Sequence, residues 1–465
     1  MAIKKTLKMT QAIAVSAVIV FAAGCPADEE QQADSFPSYK LEAGQVLTYE
    51  SSSEFKYDER SQLSRSESQI WVLQRSENGS WRLLARNKYS FNTTEPRREQ
   101  VNLAAFDLFP DGRINSVPYL NIRNYARAYF IALPSEPEMF RSTWQAYDKE
   151  QNENHAYSYS PQSKPDEGQW IFQRVTTSQM NDIYGMSETS TVHFNATKGL
   201  VEKIELSYSR NSGIKGKGTG TTELKSVKTV EPDFLNQLST DAKTYFRALD
   251  SYEKILSSLA EYPHSLESKL TEAKNILLSA KEQLSHPVIT EQLISDLAQH
   301  DGRIDYLTES AEQQAAVLNQ PSPAWETTDF KGQTYSIEAL RGKVVLLDFW
   351  YRGCGWCIRA MPQIKEVANY FANQPVMVLG INTDRDTADA EFVIEKMGLN
   401  YPNLKASGIP EKYGVRAFPT LIVIDQQGIV KGFHVGYSPH LRDDVIGRVE
   451  ELLNRKSLKS TGTDN

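Results

Sequence analysis

Three cysteines occur in 465 residues, and two of them, Cys354 and Cys357, stand three positions apart in residues 349–362, FWYRGCGWCIRAMP. A C-x-x-C admits two chemistries: reversible disulfide formation, or half of a metal site. A structural zinc site needs four ligands. The chain has no second C-x-x-C, and its seven histidines are scattered with no ligand-like spacing, so redox chemistry is the better reading. The apolar run before the pair reads as a buried strand, and a helix is expected to open at the first cysteine. The free amides and dipole of a helix N-terminus favour an anion, which stabilises the Cys354 thiolate and lowers its pKa. Cys354 can then attack a disulfide, and Cys357, on the same face one turn later, can reach back to resolve the mixed disulfide.

That placement requires a scaffold. In residues 320–456 the runs GKVVLLDFW, VMVLGINTD and TLIVIDQQG read as buried strands of the parallel type. A helical pattern separates the first two, and a hairpin and last helix follow the third, which predicts an α/β layer arrangement. Residues 457–465 form a polar tail. Over residues 232–319 the period is that of a helix. Tyr245, Leu249, Tyr252, Leu256 and Leu259 step by four and three; so do Leu266, Leu270, Ala273, Leu277 and Ala280, and again Leu293, Leu297, His300, Ile304, Leu307 and Ala311. With Pro263 and Pro287 between the runs, this predicts three amphipathic helices forming a packed spacer, with a partner-binding coiled coil as the minor alternative. Residues 39–231 alternate with period two between Gly, Asn, Asp and Pro clusters, which predicts an antiparallel β domain, either a sandwich or a strongly curved sheet. Asn78-Gly79 is expected to supply the positive backbone angles of a tight hairpin turn, with further turns at residues 110–112 and 197–199.

The amino terminus has a different character. Lys4, Lys5 and Lys8 precede an apolar stretch, residues 12–23, that is too short to span a bilayer and ends in small residues, so residues 1–24 read as an export signal. Residues 25–38 are a polar, acidic tether. The exit Ala23-Gly24-Cys25 resembles the lipobox of bacterial lipoproteins, with Ala22 where that family usually has Leu; this implies acylation of Cys25 and a lipid membrane as partner. Ordinary signal-peptidase cleavage near Cys25 is the alternative. If Cys25 carries lipid, Cys354 and Cys357 are the only thiols left. The net charge of −8, or −11 without the three leader lysines, and the lack of a basic stripe argue against nucleic acid as a partner.

GKVVLLDFWYRGCGWCIRAMP followed by GVRAFPTLIVIDQQGIV resembles the thioredoxin superfamily, in its extracytoplasmic TlpA-like and ResA-like branch. Pro362 falls where that family's active-site helix is kinked, Phe418-Pro419-Thr420 matches the cis-proline loop, and DTADAEFVIEKMGLNYPNL matches the helix inserted in this branch. The resemblance implies a C-terminal thioredoxin fold and an envelope thiol-disulfide oxidoreductase that needs no cofactor. Its roles would be Cys354 as nucleophile, Cys357 as resolving thiol, Asp348 in proton transfer, and Phe418, Pro419 and Trp356 at the substrate. Partners would be protein dithiols or disulfides and a membrane electron carrier. Gly353 and Trp356 replace the Trp and Pro usual beside thioredoxin cysteines, and Ala360 stands where many ResA-like proteins have an acidic residue. A peroxidase of the related peroxiredoxin type would need Thr or Ser at position 351, which is Tyr. Reduction of protein disulfides is the leading expectation; an oxidase or isomerase is the first alternative, and a redox-inert envelope scaffold the second.

Overall fold

The computed structural model describes residues 36–91, 99–116, 129–148, 153–211, 215–259, 265–438 and 440–460. The leader, most of the acidic tether and Cys25 lie outside them, as does Pro263.

The first region is one antiparallel sheet. Its strands are β1 (Gln45–Tyr57), β2 (Arg60–Arg75), β3 (Trp81–Phe91), β4 (Glu99–Leu108), β5 (Ile114–Ser116), β6 (Thr143–Asp148), β7 (Glu153–Tyr159), β8 (Gln169–Ser178), β9 (Met186–Asn195), β10 (Leu200–Arg210) and β11 (Gly216–Thr229). A six-residue helix, α1 (Gln179–Tyr184), interrupts the β8–β9 hairpin. The spatial order is β5-β4-β3-β2-β1-β11-β10-β9-β8-β7-β6, so every pair of adjacent strands is consecutive in the chain except β1 with β11 at the centre, and β5 and β6 form the two edges. Alternation places Trp170 and Phe172 of β8 inward, with Val192 and Phe194 of β9 beside them. Among the described residues no second sheet covers that face. Tyr39, Leu41, Phe130, Ile131 and Phe140 from non-strand segments fill it instead, which is why the sandwich alternative does not hold.

One turn differs from expectation. β2 and β3 are joined by five residues; Gly79 takes a positive φ of 82°, while Asn78 uses its side-chain oxygen to accept from the Ser80 amide at 3.0 Å. A two-residue turn lies at Asp58-Glu59, where Asp58 has φ 49° and Tyr57 pairs with Arg60.

Three helices follow, α2 (Pro232–Ser257), α3 (Leu266–Lys281) and α4 (Pro287–Val317). Pro287 opens α4, where a missing backbone N–H costs nothing. These helices are more than a spacer: Leu238, Tyr245, Ala273, Leu277 and Leu293 share one core with Trp71, Leu84 and Ala105 on the outer face of the sheet. The heptad seam therefore seals a β surface as well as the helices themselves.

The last region contains a short hairpin, β12 (Glu326–Thr328) with β13 (Thr334–Ser336), and a five-stranded sheet. The elements are β14 (Val344–Trp350), α5 (Gly355–Tyr370), β15 (Val376–Asn382), α6 (Thr387–Met397), β16 (Asn403–Lys405), α7 (Ile409–Lys412), β17 (Thr420–Ile424), β18 (Val430–Val435) and α8 (Leu441–Ser460). The strand order is β16-β15-β14-β17-β18. β15 runs parallel to β14, but β17 is antiparallel, because only a loop and the single turn of α7 separate it from β16. All seven residues of β14 are buried: Val344 and Leu346 face α5 and α8, while Val345, Leu347 and Phe349 face Trp325, Ile337 and Tyr413. At about 1.5–3 kcal/mol for each fully buried large apolar side chain, this strand anchors the region and fixes where its C-terminal end delivers the chain. Among the described residues no helix is long and apolar enough to cross a membrane.

Candidate active site

β14 ends at Trp350, and a four-residue turn carries the chain into α5. Cys354 is the helix N-cap, and its Sγ accepts the Cys357 amide at 3.1 Å. The two sulfurs form a disulfide of 2.01 Å across a Cα separation of 5.2 Å. The turn is pinned from beneath: the Arg352 amide donates to Asp384 Oδ2 at 2.9 Å, and the Thr383 amide to the Trp350 carbonyl at 3.0 Å. Asp384 also accepts from Asn382 Nδ2 at 2.8 Å, and its burial pushes its pKa above the usual carboxylate value.

Asp348 lies on the face of β14 that carries Leu346 and Trp350, since side chains alternate along a strand. Those neighbours pack under α5, Leu346 against Ala360 and Ile364, and Trp350 in the cluster of Cys357 and Met361. Asp348 thus sits beneath the first turns of the active-site helix. Its carboxyl is pushed up to about 7 by burial, partly offset by the Tyr401 hydroxyl, which donates to Oδ2 at 3.3 Å. Trp350 donates from Nε1 to Asn403 Oδ1 at 2.9 Å, fixing the strand end from β16.

The Phe418–Pro419 bond is cis. Phe418 is half-buried in the cluster that holds both cysteines, and Tyr351 meets its ring edge-on at 5.2 Å. Trp356 points outward, 37% exposed, stacked on Tyr437 at 5.4 Å. The structure therefore brings Cys354, Cys357 and Phe418 together, sets Asp348 below them and places Trp356 on the rim.

The AhpC/TSA family profile matches residues 318–433. Over 143 residues the chain is 30% identical to the thiol-disulfide oxidoreductase ResA of Geobacillus kaustophilus strain HTA426, an overlap covering 30% of this chain and 81% of that protein. Through its C-terminal third, the chain belongs to the ResA-like thiol-disulfide oxidoreductases of the thioredoxin superfamily. The thioredoxin-like protein YneN of Bacillus subtilis strain 168 is 26% identical over 135 residues, 28% of this chain and 79% of that one. Among solved structures, a thiol:disulfide interchange protein DsbE from Chlorobium tepidum is 25% identical, with a TM-score of 0.28 over 29% of this chain and 97% of that one. For this ResA-like oxidoreductase, the sequence did not disclose one group of residues around the disulfide. Met180, Ile183 and Tyr184 of α1, contributed by the β domain, belong to the same cluster as the cysteines. The available signal was a short apolar stripe, QMNDIYG, breaking the alternation between two strands.

Proposed function

We propose that this oxidoreductase reduces protein disulfides in the cell envelope. The Cys354 thiolate attacks one sulfur of a substrate disulfide, forming a mixed disulfide and expelling the other substrate sulfur as a thiolate. Cys357 then gives its proton to Asp348 and attacks Cys354 Sγ. The Cys354–Cys357 disulfide closes, the second substrate thiolate leaves, and two electrons have passed to the substrate. The cis-proline loop at Phe418 and Pro419 receives the extended substrate, and Trp356 on the rim extends that surface. A reductase in an oxidising compartment must be recharged, so a membrane electron carrier is the second partner, with acylated Cys25 holding the protein near it.

The observation that carries the reading is Cys354 as N-cap of α5, its sulfur accepting the Cys357 amide. That amide and the helix dipole favour the thiolate that an attacking sulfur must be. The test is equilibration of the purified protein with glutathione. Thioredoxin lies near about −270 mV, protein disulfide isomerase near about −180 mV and the strong oxidant DsbA near about −120 mV, with roughly 1.4 kcal/mol per 30 mV for two electrons. A potential more reducing than about −180 mV is expected. A more oxidising value replaces the reductase with an oxidase or isomerase.

A further inference from the structure

α1 belongs by chain to the β domain, yet its apolar side chains lie against the redox pair. Ile183 is fully buried in the cluster of Cys354, Cys357, Trp350 and Ile358, with Met180 and Tyr184 half-buried beside it. A Cβ placed on Gly355, the first residue of α5, would meet Met180 Cε at 3.3 Å and the Tyr184 hydroxyl at 3.8 Å. Polar contacts hold the same junction. Arg352 Nη2 donates to the Ile183 carbonyl at 2.8 Å while Nη1 pairs with Asp389 at 2.6 Å, and Lys396 of α6 pairs with Asp182 at 3.0 Å. The turn is built rather than merely draped: Ser178 Oγ caps it by accepting the Asn181 amide at 3.0 Å, Gly185 closes it with a left-handed φ of 58°, and Arg210 lies over the Tyr184 ring at 5.4 Å.

The consequence falls on Cys354, which is only 5% exposed. Disulfide exchange needs the incoming sulfur to approach along the axis of the bond being broken, and a polypeptide must lay its backbone on the enzyme to bring that sulfur in. α1 packs over the first turn of α5, beside that bond. We propose that the β domain gates the redox site, with Met180, Ile183 and Tyr184 as specificity-determining residues that occupy the substrate-docking surface. A polypeptide whose cysteine is flanked by apolar side chains displaces the turn by replacing its contacts; one with polar flanks does not. The inference rests on the reading of Cys354 as the attacking sulfur.

The test measures alkylation of Cys354 in the reduced full chain, resolved by peptide mass mapping, with iodoacetamide as a small probe and a maleimide bearing a long polyethylene glycol chain as a bulky one. Ile183→Asp puts a charge where an apolar side chain is fully buried, and it is expected to raise the bulky probe's rate by roughly tenfold or more. Because that variant could disturb the hairpin, the exposed pair Asp182–Lys396 provides an independent arm. Asp182→Lys should raise the rate about two- to fivefold, the scale of an exposed ion pair, and adding Lys396→Glu should restore it. Equal bulky-probe rates in wild type and all variants, with unchanged circular dichroism, overturn the gate. Insulin reduction is assayed alongside. Rising probe rates without insulin reduction support the gate and count against the reductase reading, whereas insulin reduction with flat probe rates retains the reductase and rejects the gate.

Discussion

Asp348→Asn isolates the cost of burying a carboxyl beneath the active-site helix. Asn keeps the shape and can still accept from the Tyr401 hydroxyl, so the ionisable proton is the main thing lost. The native pKa of about 7, against the ordinary 3.8, is a rise of about three units, or about 4 kcal/mol at 1.36 kcal/mol per unit. The native state holds the proton more tightly than the unfolded chain. Its stabilising contribution is therefore complete below pH 3.8, falls as pH rises, and is gone above about 7. Between pH 5 and pH 8 the wild-type protein should lose about 3 kcal/mol from this group alone, and the variant should not. Urea unfolding of the oxidised protein at both pH values, followed by the fluorescence transition that exposes buried Trp325 and Trp350, gives the two slopes. Parallel pH dependences in wild type and variant would refute the reasoning and mean that water reaches Asp348 in solution.

Other consequences can be checked in parallel. Gly380 pairs with Asp348 across β14 and β15, and a Cβ there would lie 2.0 Å from Asn403 Oδ1 and 2.9 Å from Trp350 Nε1. Gly380→Ala should therefore break the indole–amide hydrogen bond and cost about 1–3 kcal/mol, seen as a lower thermal midpoint. Cys25→Ala is expected to move the protein from the membrane fraction to the soluble fraction, because several acyl chains hold stably where none holds; a wild-type protein already soluble in the envelope would end the anchor proposal.

What the sequence disclosed was what neighbouring residues decide. The run VVLLDFW has enough apolar side chains to bury both faces of a strand, and Cys354 is placed by the end of that strand at Trp350, one short turn away; the four-three steps of Leu266 to Ala280 likewise need no distant partner. Contacts between remote segments were silent. The Tyr401 hydroxyl that tunes Asp348 arrives from 53 residues away, and Ile183 reaches the redox pair from another domain. The antiparallel direction of β17 depends on how the chain returns across the sheet, which apolar content does not encode.

If the protein is exported, as proposed above, the pairing of β1 with β11 bears on its delivery through a membrane. A chain threaded from its amino end presents β1 to β5 first, and these can zip locally into half of the sheet. The inner edge of β1, from Gln45 to Lys56, then has no partner until Lys217 to Thr229 emerge. Throughout that interval a twelve-residue edge of extended backbone offers the amides and carbonyls that face away from β2 to any passing strand. Long-range strand closure is also the slow kind of folding step. An exported form of this protein therefore has a vulnerable period set by translocation speed, and a holding chaperone that recognises extended chain is the helper its topology calls for.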